Sequence, residues 1–371
     1  MKIAIFHNYM DNIGGAEIVD LILARELKAD IYTTNINKEK IQKMGFSTNN
    51  IFSIGKIPIN APFKQEFAYW KFRKLNIEKK FKKHYDFYII AGDWAMPAGR
   101  NNKPNLWYVY SPKREIWDLY EYVRNEIVPG VYLGNINKYI FDIWVKLHRF
   151  LDLRDLNNIG EIISISENVQ KRVKKYLNKE SKIIHPPTET SKYSYKPHKG
   201  YWLSVNRLFQ HKRVDLQLKA FSKLPSEKLI IVGSYENSEH FQKYANYCKK
   251  IKPENVKILS WINEKELIEL YANCKGFIAT SLDEDYGMNV VEAMASGKPV
   301  IASNEGGFKE TLINNKTGIL IQDIDENKLI KSIKKMSKEI DKNETKYKKA
   351  CQKQAKKFDT KIFIKKMKEY I

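Results

Sequence analysis

The amino-acid sequence predicts an α/β protein of two doubly wound parallel sheets in tandem, and three observations carry that reading. The chain has 371 residues, more than one hydrophobic core usually organises, so two domains of ordinary size are expected. Short β-branched and aromatic runs alternate with longer amphipathic stretches, the pattern of parallel strands joined by crossover helices. A polar segment bounded by prolines, Pro186 to Pro197 (PPTETSKYSYKP), separates two such series and reads as an interdomain linker.

In the first series, strands are expected at KIAIFHN (from Lys2), DIYTT (from Asp30), DFYIIAG (from Asp86), LWYVYS (from Leu106), EIISIS (from Glu161) and KIIHP (from Lys182). The aromatic-rich stretch from Glu115 to Arg154 reads as helical. The second series has YWLSVNR (from Tyr201), KLIIVGS (from Lys228), NVKILSW (from Asn255), GFIATS (from Gly276), PVIAS (from Pro299) and GILI (from Gly318). From about Lys331 the chain reads as a Lys-rich helical tail ending in FIKKMKEYI, its lysines on a solvated face. Doubly wound sheets bind ligands at the carboxyl ends of their strands, so the loops there are where chemistry is sought.

Hydrophobic residues make up 43% and aromatics 12% of the chain, enough for packed interiors and too much for a disordered protein. The formal charge of +22 points to a polyanionic partner: nucleic acid, an anionic membrane surface or a phosphorylated small molecule. Lysines spread along the whole chain also read, more simply, as solvated surface. Cys248, Cys274 and Cys351 are widely spaced, lack C-x-x-C spacing and have no histidine nearby, which favours buried thiols in a reducing compartment over a metal site. MKIAIFHNYM has too short an apolar run for a signal peptide, and no stretch approaches the roughly 18 apolar residues a spanning helix needs. A cytoplasmic protein is expected, peripheral on the inner face of a membrane if it meets one.

Three segments carry chemistry. The first is DEDYGMNVVEAMASGKPVIAS, from Asp283 to Ser303. A strand ending at Ser281 enters an acidic loop and, past Gly287, a short helix that stops at Gly297, Lys298 and Pro299, because proline cannot continue it. Glu284 in the loop and Glu292 on the helix can each accept hydrogen bonds from neighbouring hydroxyls of a ribose or hexose, worth about 1.5 to 3 kcal/mol per charged bond. The N–H groups of Gly287, Met288 and Asn289 open the helix and suit phosphate or a hexose hydroxyl. The second segment, SVNRLFQHKRVD from Ser204 to Asp215, places Arg207, Lys212 and Arg213 after a strand, where fixed cations can neutralise a diphosphate without a metal. The third, NIGGAE from Asn12 to Glu17, puts Gly14 and Gly15 between the first strand and a helix, where backbone can approach a ligand. Taken singly, each also fits a bland reading as surface glutamates, a basic loop or an ordinary turn.

Together, in this order and at these separations, the segments resemble family 4 of the retaining glycosyltransferases with the GT-B fold, over nearly the whole chain. The E-x7-E pattern of that family is matched by Glu284 and Glu292, its diphosphate-binding Arg and Lys by Arg207 and Lys212, and its amino-terminal glycine loop by Gly14 and Gly15; the GKPVIAS and EGGFKE runs are also typical. The resemblance implies two Rossmann-like domains facing each other across a cleft: residues 1–190 binding acceptor, 198–355 binding a nucleotide-sugar, and a helix at 356–371 returning to the first. It implies that Glu284 holds the donor hexose near its reacting carbon, Glu292 the ribose hydroxyls, and Gly287 to Asn289 the sugar. The donor would be a GDP- or UDP-linked hexose of mannose or glucose type, with no cofactor and no metal.

A closer resemblance is to the mannosyltransferase-like branch, whose His-Ser/Thr-Pro-x-Arg run appears here as YVYSPKREIWD. Tyr110 stands at the histidine position; a phenol can hydrogen-bond sugar or phosphate but is no cation at neutral pH. Tyr110, Ser111 and Arg114 are acceptor or cleft candidates, and Ser166 is a cleft candidate. The family acts on glycans, lipid-linked glycans and glycolipids. Between Lys64 and Lys83 eight Lys/Arg face two Glu, with Phe67, Tyr69, Trp70 and Phe72 among them, the make-up of a segment that docks on an anionic membrane. The competing reading turns those aromatics into the core. Trp261 is expected near the nucleotide base. Asp283 with Asp285, and Asp323 with Asp325, formally offer the D-x-D pair of a metal-dependent transferase, but Arg207 and Lys212 already supply positive charge. The alternative function is a basic nucleic-acid-binding protein or a DNA-modifying glucosyltransferase, although no nucleic-acid motif accompanies the charge.

Overall fold

The run IAIF forms β1 (Ile3–Phe6) with all four side chains buried, as a parallel strand covered on both faces requires. Residues 1–58, 64–128, 135–233, 239–260 and 262–371 are described in this computed structural model. They divide into two units: Met1–His185 with Phe363–Ile371, and Pro186–Ile362. Trp261 lies outside the described residues.

The first unit holds a seven-stranded sheet in the order β3-β2-β1-β4-β5-β6-β7, from β2 (Asp30–Thr33), β3 (Ile51–Ser53), β4 (Phe87–Ile90), β5 (Asn105–Val109), β6 (Glu161–Ser164) and β7 (Lys182–Ile183). Every pairing is parallel. Six of these strands lie at the expected runs. The edge strand β3 was not expected: its three residues IFS bury only Ile51 fully and give no periodicity to read. Phe6 stacks on Tyr88 at 5.7 Å across adjacent strands, and the hydroxyls of Tyr32 and Tyr85 meet at 2.7 Å beneath them. The stretch expected to be helical contains Asn135–Leu156, a 22-residue helix.

The second unit holds a six-stranded parallel sheet in the order β10-β9-β8-β11-β12-β13. Its strands are β8 (Tyr201–Val205), β9 (Lys228–Val232), β10 (Val256–Leu259), β11 (Gly276–Ala279), β12 (Val300–Ser303) and β13 (Gly318–Ile321), all at expected runs. Trp202 is wholly buried, and its indole N–H donates to Glu227 Oε2 at 2.9 Å, so the polar end of the ring is satisfied. Residues 186–197, expected to link the domains, are packed into this unit. Thr188 N–H donates to the Phe358 carbonyl at 2.9 Å, and Lys298 Nζ donates to the Lys196 carbonyl at 2.6 Å. The three cysteines are free and buried. The chain re-enters the first unit at Phe363, whose ring meets Tyr108 at 5.7 Å.

In each sheet the strand order reverses beside the first strand. β1 lies between β2 and β4, and β8 between β9 and β11. Loops leaving such a pair diverge to opposite faces and open a crevice at the carboxyl ends. The three segments that carry chemistry follow β1, β8 and β11, at these reversals.

Candidate active site

In the second unit, the loop after β8 carries Arg207, Lys212 and Arg213, and the loop after β11 carries Glu284. Because β8 and β11 are neighbours, the two loops meet: Lys212 Nζ lies 2.7 Å from Glu284 Oε2. Thr280 fastens the loops together by donating its hydroxyl to the Lys212 carbonyl at 2.8 Å. Burial favours the neutral form of Glu284, but the Lys212 ammonium and a hydrogen bond from Ser281 outweigh it and hold the carboxyl below its usual range.

The acidic loop rests on a third loop, which follows β12. The backbone N–H of Gly307 donates to the Glu284 carbonyl at 2.8 Å. Gly306 has φ +54, and a Cβ there would lie 2.2 Å from that same carbonyl oxygen, so the EGG run of EGGFKE needs glycine on steric grounds. The Glu305 carboxylate preceding it grips Arg213 with two bonds of 2.9 and 3.0 Å and accepts the Asp283 N–H at 3.2 Å. This fork-to-fork pair fixes the loop. Arg213 is thus engaged by Glu305 and Lys212 by Glu284, and the Arg207 guanidinium lies 6.0 Å from the Phe209 ring centre.

Gly287 caps the helix Met288–Ala295 in the left-handed conformation, φ 88. Asn289, in the first turn, donates to the Val205 carbonyl at 2.7 Å and ties the helix start to the end of β8. Further along, Glu292 accepts the Tyr271 hydroxyl at 2.7 Å. Its carboxyl is raised, because burial exceeds what the hydrogen bonds from Tyr271 and Tyr193 return. The structure therefore brings Lys212 and Glu284 into direct contact and gives Glu292 a different environment, phenolic instead of cationic. Tyr193, Tyr271 and Glu305 were missed as site residues. The two tyrosines lie far from Glu292 in sequence, whereas EGGFKE was noticed without Glu305 being assigned a part.

In the first unit, Gly14 caps the helix Gly15–Leu27 with extended backbone, and its N–H donates to Glu17 Oε2 at 2.7 Å. His7, at the end of β1, has Nε2 3.2 Å from Glu17 Oε1 and Nδ1 2.6 Å from Asp20 Oδ2. Burial opposes a charged imidazole, yet Asp20 and Glu17 together raise it to about 10. Tyr110 belongs to the same network: its hydroxyl is 2.6 Å from Asp20 Oδ1 and 3.1 Å from the Ala16 carbonyl. The phenol is therefore held by protein acceptors, and the cation of the neighbourhood is His7, which the sequence reading passed over. Ser111 Oγ accepts from Arg172 at 3.1 Å. Arg114 pairs with Asp118 at 2.8 Å, and Ser166 caps the next helix by accepting the Val169 N–H at 3.0 Å.

The reversal beside β1 also gathers acids the sequence reading missed. Asn8 donates to Asp93 in the loop after β4, and Trp94 Nε1 donates to Glu115 Oε1 at 3.1 Å. Burial, then the charge of Asp93, pushes the Glu115 carboxyl up to about 7. Among the described residues, no group of three or more His, Cys, Asp or Glu side chains is placed to hold a metal ion.

Residues 188–358 match the family described as glycosyl transferases group 1. Among curated relatives, the alpha-1,3/1,6-mannosyltransferase ALG2 of Dictyostelium discoideum is 37% identical over 141 residues, 33% of this chain and 34% of that protein. A trehalose synthase of Pyrococcus horikoshii is 24% identical over 277 residues, 68% of this chain and 62% of that protein. The chain thus spans between a third and three fifths of these relatives. Among solved structures, Anabaena HepE in complex with UDP and glucose superposes with TM-score 0.73 at 17% identity, covering 100% of this chain and 99% of that one. Sucrose-phosphate synthase from Thermosynechococcus elongatus gives 0.74 at 16% identity, covering 100% and 98%. The chain has the GT-B fold, and residues 188–358, within its second unit, are similar to the glycosyl transferases group 1 family.

Proposed function

We propose that the protein is a retaining, metal-independent hexosyltransferase that moves a mannose- or glucose-type sugar from a GDP- or UDP-linked donor to a glycan, lipid-linked glycan or glycolipid. The observation that carries this is the Lys212–Glu284 pair at the strand-order reversal of the second unit. An ammonium has three donors, so Lys212 can hold Glu284 and still turn an N–H to a phosphate. With Arg213 engaged by Glu305, Lys212 and Arg207 are the cations of that loop assigned to the diphosphate. Their role is to stabilise the charge that develops as the nucleoside diphosphate leaves, where loss of one preorganised donor costs on the order of 100- to 1000-fold in rate.

Glu284 accepts hexose hydroxyls and Glu292 the ribose diol, in environments matched to the difference. Glu284 is held ionised beside a cation, while the raised Glu292 sits among phenols. The N–H groups of Gly287, Met288 and Asn289 face the sugar, and the departing phosphate oxygen takes the acceptor proton, so no protein base is required. The first unit binds the acceptor. The relatives named a mannosyltransferase and a trehalose synthase support the sugar class, and membership of family 4 and its mannosyltransferase-like branch is part of the same proposal.

A thermal-shift panel of GDP, UDP and ADP sugars tests the reading, since a true donor raises the melting temperature strongly. The anomeric configuration of the product, read by NMR with and without chelator, tests retention and metal independence. A panel in which no sugar nucleotide shifts melting or turns over would remove the proposal.

A further inference from the structure

The helix Asn135–Leu156 in the first unit has two apolar faces. The inner one packs on the helix Lys64–Arg73: Glu66 Oε2 takes His148 Nε2 at 2.6 Å and Trp144 Nε1 at 3.2 Å, and the Tyr69 hydroxyl donates to Asp155. The outer face carries Tyr139, Ile140, Ile143, Leu147, Phe150 and Leu153, which are between 44% and 70% exposed. At 3.6 residues per turn these six span an arc of roughly 140° and a length of about 21 Å. Phe67 and Trp70 on the partnered helix are exposed as well, and Trp70 donates to the Glu66 carboxylate that also binds Trp144 and His148. Single exposed apolar residues are ordinary, but a ridge of this size marks a surface meant to be covered.

The charges decide what covers it. Each acid of the helix is engaged by the protein: Asp142 by Arg124 at 2.8 Å, Asp152 by Lys113, and Asp155 by Arg73 at 2.7 Å. Lys146 stands exposed within the outward arc, while Arg154, also on that arc, is paired with Asp155 at 3.2 Å. A second copy docked on this face would bring like charge toward like, in a chain of net charge +22. No helix among the described residues is long and apolar enough to cross a membrane. An apolar ridge that carries an exposed lysine and no unpaired acid of its own helix suits a helix lying in the plane of an anionic lipid surface.

We infer that the first unit docks on an anionic bilayer through the outer face of Asn135–Leu156 and the Phe67–Trp70 edge beside it. This relocates the contact expected from Lys64–Lys83. Within that segment Tyr69 and Phe72 are buried, Lys80 is engaged by the Ile54 carbonyl and Lys83 by Asp30 at 3.1 Å. The inference does not depend on the transferase reading.

The test is co-sedimentation with vesicles of phosphatidylglycerol and phosphatidylcholine. The variant Ile143→Ser/Leu147→Ser/Phe150→Ser should lose about tenfold or more in partitioning while keeping the parent melting temperature, because all three side chains are exposed. Lys146→Glu should weaken binding to these vesicles alone. Lipid brominated in its acyl chains should quench the parent's emission more than that of Trp70→Phe. Unchanged sedimentation of the triple variant, equal binding to pure phosphatidylcholine, or a protein that ignores vesicles and dimerises in the ultracentrifuge would each overturn the inference.

Discussion

Lys212 and Glu284 are 72 residues apart in sequence, and their charged atoms are 2.7 Å apart. The contact exists because β8 and β11 are adjacent although two strands separate them in the chain, so the sheet topology builds the pair. Removing one partner of a part-buried pair leaves the other uncompensated. Lys212→Ala should cost about 3 kcal/mol and lower transfer by about 100-fold or more. The double variant with Glu284→Ala should lose less stability than the two single losses summed. Since the Glu284 carboxyl is lowered in the fold, the pair's contribution is present above its ordinary value of 4.5 and is lost as pH falls through the lowered one. Urea titrations across acid pH read this directly, and strict additivity would show that the two charges are not coupled.

The glycine loop that supports Glu284 makes a steric prediction. A Cβ at Gly306 would come within 2.2 Å of the Glu284 carbonyl oxygen and 2.6 Å of its nitrogen, contacts that only backbone movement relieves. Gly45 also has positive φ, +80, with nothing within 4 Å, so Gly45→Ala measures the conformational cost by itself, about 1 to 2 kcal/mol. Gly306→Ala should cost at least about 1 kcal/mol more and should also weaken donor binding. Equal losses at the two positions would mean that the close approach does not matter.

Twelve of the thirteen strands stood in the sequence as β-branched or aromatic runs, because strands buried on both faces must be apolar throughout. The exception, β3, is an edge strand of three residues. The candidate site was legible where chemistry and turn residues coincide within one loop: Glu284, Gly287 and Lys212 were all singled out that way. It was illegible where partners come from distant segments. Tyr193 lies in a stretch read as linker, and Tyr271 at the end of a helix that shows only amphipathic spacing. Nothing local marks either as a partner of Glu292. His7 was hidden for the same reason, since its two carboxylates lie on the following helix and come into reach only when that helix packs back on β1.

Those phenols predict how Glu292 titrates. Tyr271→Phe removes the 2.7 Å hydrogen bond and the largest of the contributions that restrain the raised carboxyl. The carboxyl should rise further, stability should fall by about 1 kcal/mol, and donor KM should increase several-fold with kcat less affected, as expected for a group on the ribose. The acid limb of donor binding should move to higher pH. An unmoved limb would remove Glu292 from the donor site.

His7 gives the opposite pH signature. Its value is raised from 6.5 to about 10, because Asp20 and Glu17 together exceed the cost of burying the cation. A group raised in the fold stabilises fully below its unfolded value and loses that contribution as pH climbs through the folded one. The wild-type protein should therefore weaken progressively between pH 6.5 and about 10, and His7→Gln should be less stable near neutrality with a flatter profile across that window. Tyr110→Phe, which removes the 2.6 Å bond to Asp20, should leave the buried carboxylate more dependent on His7 and keep the slope. The imidazole carbon shifts of His7 should remain those of the protonated ring at pH 8. A His7 signal that titrates near its ordinary 6.5 would show that the two carboxylates do not hold the charge, and Tyr110 would then stand beside a neutral ring.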